Sequence, residues 1–204
     1  MSDDAATPVR SARLPRQARR EHFLDVAARL VADGGVDAVT MEGVAAAAGV
    51  SKGLGYAYFA NADDLLLALL QRELGKLGTR MQEAVRSAEG FEGKSRAAIH
   101  AWFDALAEGG PVLGALTQAD VGRGPAEAAR KGYNRQMEDF WGSLAEKELG
   151  VPKREATIVS AIFIAGTRGL LERWVECRDP RRVLEETYVT AIMGALRAVA
   201  ERRS

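Results

Sequence analysis

The stretch AGVSKGLGYAYFAN, Ala48 to Asn61, decides how the rest of the chain is read. It sets Gly53, Gly55, Tyr56 and Tyr58 inside what its neighbours mark as one short helix. Glycine costs a helix interior about 1 kcal/mol relative to alanine, and tyrosine is a middling helix former. Local propensity does not account for such a segment, so something outside the helix must favour it.

Working outward, the apolar positions Phe23, Val26, Ala27, Leu30 and Val31 fall at i, i+3, i+4, i+7 and i+8. That is the stripe of an amphipathic helix starting at Arg16 and ending at Asp33-Gly34-Gly35. Thr40 supplies an N-cap hydroxyl for a second helix, with Glu42 in its first turn where the helix dipole favours an acid. Gly49 stops it. Ser51 caps a third helix running to about Phe59, and Asn61 with Asp64 three residues later forms a capping-box-like start for a fourth. Two short helices joined at Ala48-Gly49-Val50 are the plan of a helix-turn-helix, whose second helix fits the DNA major groove. This answers what the glycines and tyrosines are for. Gly53 and Gly55 let the backbone approach DNA, the Tyr56 and Tyr58 hydroxyls donate to phosphate, and Lys52 adds a charge-assisted contact.

At these residues the chain resembles the tetracycline-repressor (TetR) family of bacterial transcriptional regulators. The likeness rests on VTMEGVAAAAGVSKGLGYAYFANADDLL, Val39 to Leu66, and is specific over about residues 16 to 70. The resemblance implies that Thr40, Ser51 and Tyr58 touch phosphates, that Lys52, Gly53, Leu54 and Tyr56 face the groove, and that Phe59 packs the helices together. The chain also departs from the family pattern. Gly55 stands where a leucine or isoleucine is usual, Leu54 where threonine or alanine is frequent, and Ala60 and Ala62 where proline and lysine are frequent. Leu54 makes the first turn more apolar, suited to a thymine methyl. The missing lysine removes one phosphate contact.

The remainder is rich in alanine and leucine, with no alternating β-branched run that would argue for a strand. The fold class expected is all-α: an N-terminal helix-turn-helix domain followed by a larger helical domain. The spacing predicts helices over 62–88, 94–108, 111–119, 125–149, 153–177 and 180–203. Three divisions follow: a basic flexible arm over 1–15, a DNA-binding domain over 16–61 and a second domain over 62–204. The stretch 109–125 holds five glycines and two prolines and is expected to be the most mobile part of that domain.

By the same resemblance, the second domain binds a small molecule and pairs with a second subunit. Small residues recur at three- and four-residue steps along two helices, at Ala161, Ala165 and Gly169 and again at Ala191, Gly194 and Ala198. Such rows permit close helix contact and suit a four-helix homodimer interface, with a tight intramolecular core as the alternative. A two-fold dimer matches a nearly palindromic operator. Aromatics cluster at Trp102 and Phe103 and at Tyr133, Phe140 and Trp141, and together with His100, Asp104, Gln118 and Asn134 they are the candidate pocket. An apolar or amphipathic effector there would shift the dimer between a spacing that fits DNA and one that does not.

Composition narrows the alternatives. The 204 residues carry 28 basic and 28 acidic side chains, so any nucleic-acid contact must come from local patches. Five arginines and no acid between Arg10 and Arg20 make the one concentrated positive run. A single cysteine, Cys177, fits a reducing compartment and reads as a packed thiol. The N-terminus has no apolar signal region and no segment approaches a membrane span, which points to the cytoplasm. With only His22 and His100, no H-E-x-x-H or E-x-x-H and no cysteine pair, neither a metal site, a cofactor nor a catalytic constellation is expected. Gly93-Lys94-Ser95 resembles the end of a phosphate loop, but position 88 is alanine and no strand precedes it, so it reads as a helix start. The competing function is a helical adaptor or small-molecule-binding protein that does not bind DNA.

Because one phosphate contact is missing, the arm should carry part of the non-specific affinity. Removing residues 1–15 deletes Arg10 and Arg13 and should flatten the salt dependence of DNA binding by one to about two in log–log slope. An unchanged slope would remove the arm from the interface.

Overall fold

The computed structural model describes residues 15–108, 111–118 and 125–202. The arm up to residue 14, residues 109, 110 and 119–124, and the Gln118 side chain lie outside the described residues, and with them the expected mobility of that stretch. Among the described residues the chain is all-helical: α1 Arg16–Gly34, α2 Met41–Ala47, α3 Lys52–Tyr56, α4 Ala62–Arg86, α5 Gly90–Glu108, α6 Pro111–Gln118, α7 Pro125–Leu149, α8 Lys153–Val175 and α9 Arg181–Glu201.

The punctuation of the first four helices is chemical. Gly35, at φ 76°, closes α1 by donating its N–H to the Val31 carbonyl at 2.9 Å. A 3-10 turn at Val36–Ala38 leads to Thr40, whose Oγ1 accepts the Gly43 N–H at 3.0 Å and caps α2. Gly49, at φ 66°, makes the turn between α2 and α3. Asn61 Oδ1 accepts the Asp64 N–H at 2.8 Å and starts α4. Ser51 differs from its expected role: it occupies the N-cap position of α3, but its side chain makes no capping hydrogen bond. Helix α3 stops at Tyr56 rather than near Phe59, since Gly53 and Gly55 leave little propensity to prolong it.

Two corrections concern later helices. Helix α5 begins at Gly90, where φ is 62°, so Gly93, Lys94 and Ser95 lie inside the helix rather than at its start. There Lys94 forms an ion pair with Glu148 of α7. Helix α8 ends at Val175, which leaves Cys177 exposed in the following turn instead of packed.

Two cores hold the helices. The first joins Phe23, Leu24, Val26 and Val31 of α1 with Val44 of α2, Phe59, and Leu65, Leu66, Leu69 and Leu70 of α4, and extends to Leu113 and Leu116 of α6 and Leu171 of α8. The second gathers Ile99 and Phe103 of α5, Trp141 and Ala145 of α7, Ala156 and Val159 of α8, and Val189, Ile192 and Leu196 of α9. Met81, Trp102 and Trp174 pack against both.

Helices α7 and α8 approach most closely at Gly142. A Cβ there would collide with Thr157 Oγ1 and come within 3.0 Å of the Thr157 backbone. Gly142→Ala should therefore destabilise the fold by about 1–3 kcal/mol through overpacking. Gly75 on α4 is exposed with nothing within 4 Å, and Gly75→Ala should stabilise by about 0.5–1 kcal/mol. Thermal unfolding of the two variants against the parent reads both signs, the first falling by several degrees.

Candidate nucleic-acid interface and effector cavity

Helix α3 presents one polar edge. Ser51, Lys52, Gly53 and Tyr56 are exposed, Tyr56 at 44%, and a Cβ on Gly53 would meet nothing within 4 Å. Thr40 is also exposed. Its hydroxyl oxygen holds the α2 cap, while the hydroxyl proton remains available for an outside acceptor. Leu54 departs from the expected groove-facing position: it is half-buried against the first core.

Gly55 corrects the sequence reading in a different way. It is buried, and a Cβ on it would sit 3.3 Å from Met41 Cε, so this glycine lets α3 lie close on α2 rather than on DNA. The remaining aromatics are divided by depth. Phe59 is buried edge-on to Phe23 with centroids 6.3 Å apart, and the Arg20 guanidinium lies 5.2 Å above its ring. Tyr58 is half-buried, with its ring 5.5 Å from Phe23. Phe59 has the packing role that the resemblance implies, and Tyr58 shares it.

Lys52 already has a partner. Its ammonium pairs with Glu42 of α2 and lies 5.7 Å from the Tyr56 ring centroid. The hydrogen bond from Lys52 holds the Glu42 carboxyl below the usual carboxylate range, and the same bond raises Lys52. Both groups are in water, so the pair adds little to stability. Its relevance is to binding, because an incoming phosphate must compete with Glu42 for Lys52.

A cavity of about 390 Å³ lies among α4 to α9. Of the candidate pocket residues, Trp102, Tyr133, Asn134 and Trp141 line it. Phe103 is fully buried beside Trp102 and Trp174 and does not line it, while Phe140 is exposed on α7. His100 and Asp104 are absent from the lining for a helical reason: α5 turns Ser95, Ile99, Trp102 and Leu106 to the cavity, and positions 100 and 104 share another face. There they form a surface cluster with α9. Arg181 bonds Asp104 at 2.7 Å and donates to the His100 carbonyl at 2.9 Å, and His100 Nδ1 lies 3.2 Å from Glu185 Oε1.

Sequence reasoning missed the α4 wall. Leu70, Leu74, Leu77 and Met81 line the cavity at helical spacing, opposite Tyr133 and Met137 of α7 and Phe163 of α8. The signal was present in α4, which is too apolar for a helix with one buried face. The same helix is tied to α1: Arg72 Nη1 bonds Asp25 at 2.7 Å and Glu21 at 3.4 Å, with Glu73 at 3.0 Å from Nε.

The small-residue rows of α8 and α9 lie largely on the outside, with Ala165 also at the cavity lining. Ala165, Gly169, Ala191, Gly194 and Ala198 are exposed and Ala161 is half-buried, flanked by exposed Ile158 and by Ile162 at 64%. A Cβ on Gly169 or Gly194 would meet nothing within 4 Å, so no contact among the described residues uses these positions. No helix among the described residues is long and apolar enough to cross a membrane.

A family model described as bacterial regulatory proteins, tetR family, matches residues 23–69. The chain is 29% identical over 172 residues to the HTH-type transcriptional activator FasR of Mycolicibacterium smegmatis, spanning 84% of this chain and 78% of that protein. Its fold is shared with the fatty acid degradation regulator FadR from Bacillus halodurans, at TM-score 0.70 and 20% identity over 89% of this chain and 96% of that one. It is shared too with FadR from Bacillus subtilis in complex with stearoyl-CoA, at TM-score 0.66 and 21% identity over 84% of this chain and 96% of that one. These relatives are regulators rather than enzymes. The chain is a transcriptional regulator with a DNA-binding helix-turn-helix, carried by residues 23–69 in the pattern of the tetR family of bacterial regulatory proteins, and its whole length has the fold of the regulators it is similar to.

Proposed function

We propose that the chain is a dimeric repressor that binds a near-palindromic operator and is released by an amphipathic effector carrying an acyl chain. The observation that carries this reading is the double duty of α4, which lines the cavity with one face and grips α1 through Arg72 with another. A ligand that displaces α4 thereby moves the recognition unit, and in a two-fold dimer it changes the separation of two α3 helices, which must be about 34–36 Å or a multiple of it to read successive major grooves. The exposed apolar and small residues of α8 and α9 support these two helices as the dimer face. Arg130 and Arg168, with Asn134 beside the many apolar residues of the lining, suit an anionic head on an apolar chain. The stearoyl-CoA complex of the Bacillus subtilis relative supports the same ligand class. A second reading, activation, is favoured by the likeness to FasR of Mycolicibacterium smegmatis, a transcriptional activator.

On DNA, the exposed Ser51, Lys52, Gly53 and Tyr56 with Thr40 make the contact edge, and Leu54 and Tyr58 hold α3 at its angle. Selection from a random double-stranded library should enrich an inverted repeat, and Lys52→Ala or Tyr56→Ala should weaken its binding by about tenfold or more. No enrichment at any salt would refute operator recognition. Glu42→Gln should act oppositely, tightening binding to unrelated DNA by freeing Lys52, as read by fluorescence anisotropy at several salt concentrations.

Stearoyl-CoA titrated onto the protein–operator complex should release the DNA, and Arg72→Ala should keep operator affinity while raising the concentration needed for release. Tighter operator binding with stearoyl-CoA, together with reporter induction, would instead establish the activator reading.

A further inference from the structure

Five hydroxyl side chains line the cavity among the described residues, and they divide into two kinds. Ser160 donates to the Ala156 carbonyl at 2.9 Å and Thr167 to the Ile164 carbonyl at 2.7 Å, the back-bonding that satisfies a hydroxyl within its own helix. Ser95, Tyr133 and Tyr188 do not do this. Ser95 is 4% exposed and its Oγ is buried without a hydrogen-bond partner. The Tyr133 hydroxyl reaches only the Met81 thioether at 4.0 Å, a weak acceptor. Tyr188 has its ring edge-on to Phe163 at 5.4 Å, and its hydroxyl makes no hydrogen bond among the described residues. Burial raises both phenols, Tyr133 to about 12, and no other influence acts on either.

Buried hydroxyls in folded proteins nearly always have a partner, and each one left without costs about 1–3 kcal/mol of desolvation. Ser95 on α5 is such a group, and with the weakly bonded Tyr133 on α7 and Tyr188 on α9 it places hydrogen-bonding capacity on separate walls of a cavity whose lining otherwise combines leucine, isoleucine, methionine and aromatic rings with Glu127, Arg130, Asn134 and Arg168. A plain saturated chain would leave Ser95 unsatisfied and offer the two phenols nothing better than they have. We infer that the effector is an apolar molecule oxygenated along its length, whose hydroxyl or carbonyl groups are received by Ser95, Tyr133 and Tyr188. This deepens the proposed function and rests on its reading of the cavity as the effector site. Discrimination of this kind is steep, since a pocket built to bond a ligand oxygen rejects the analogue lacking it more strongly than an apolar pocket rejects a methylene.

The test is calorimetric titration of the full-length protein with stearoyl-CoA and with a series of hydroxystearoyl-CoAs whose hydroxyl is moved along the chain. At least one hydroxylated probe should bind about tenfold more tightly than stearoyl-CoA. The triple variant Ser95→Ala, Tyr133→Phe, Tyr188→Phe should lose that preference, bind stearoyl-CoA no more weakly than the parent, and melt no lower, because no good hydrogen bond is removed. Stearoyl-CoA binding as tightly as every hydroxylated probe would overturn the inference and leave the effector-site reading standing. A preference that survives the triple variant, or a variant that melts well below the parent, would also overturn it. Binding by none of the probes would overturn both.

Discussion

Leu69 and Leu70 are neighbours on α4, and a helix turns roughly 100° between them. Leu69 is sealed in the core that holds α1 and α2 in place, while Leu70 reaches the cavity wall. The rest of the molecule follows from this divided obligation. The residues that anchor the first three helices and those that line the cavity sit on one helix, which joins the two regions directly. Arg72 strengthens the tie. With its side chain only 15% exposed and carboxylates from both helices around it, it joins α4 to α1 by charge as well as by packing. Removing one partner of so sheltered a group costs more than removing one from an exposed pair.

The recognition unit is built on a different principle. Its second helix is a turn and a half long and has no apolar face of its own. What fixes it is the Phe23 ring, which receives Tyr58 and Phe59, and the glycine at position 55, which brings it down onto Met41. Only one edge is left for a partner, and its cation is shared with Glu42. An acid beside the lysine weakens attraction to any phosphate and so favours sites where other contacts compensate, which is a route to selectivity rather than strength.

Much of this was legible in the sequence. The caps at Thr40 and Asn61, the glycine stops and the helical periodicities of α1 and α4 to α9 are local signals, and local chemistry decided them. The outward rows of α8 and α9 were legible for the same reason. The failures were not local. Gly55 reads as a glycine wanted by an outside surface, yet the surface is Met41, fourteen residues earlier, and a five-residue helix is too short for periodicity to show which way it faces. His100, Phe103, Asp104 and Phe140 are aromatic or polar residues near the right place, but whether a side chain enters a cavity depends on helix rotation. A shift of one or two positions separates Phe140 from Trp141 and Asp104 from Trp102. The leucines of α4 went unnoticed because core and cavity walls use the same residues.

The contact at Gly142 has a mechanical corollary. Where α7 and α8 meet at Gly142 there is no α7 side chain to re-pack, so the two helices behind that side of the cavity are held at a fixed distance. The opposite side, made by α4 and the eight-residue α6, meets its neighbours through leucine side chains, which give way by changing rotamer. A guest that needs more room than the empty cavity offers will therefore gain it unequally. The rigid wall acts as an anvil, and the strain is delivered to the side that carries α1.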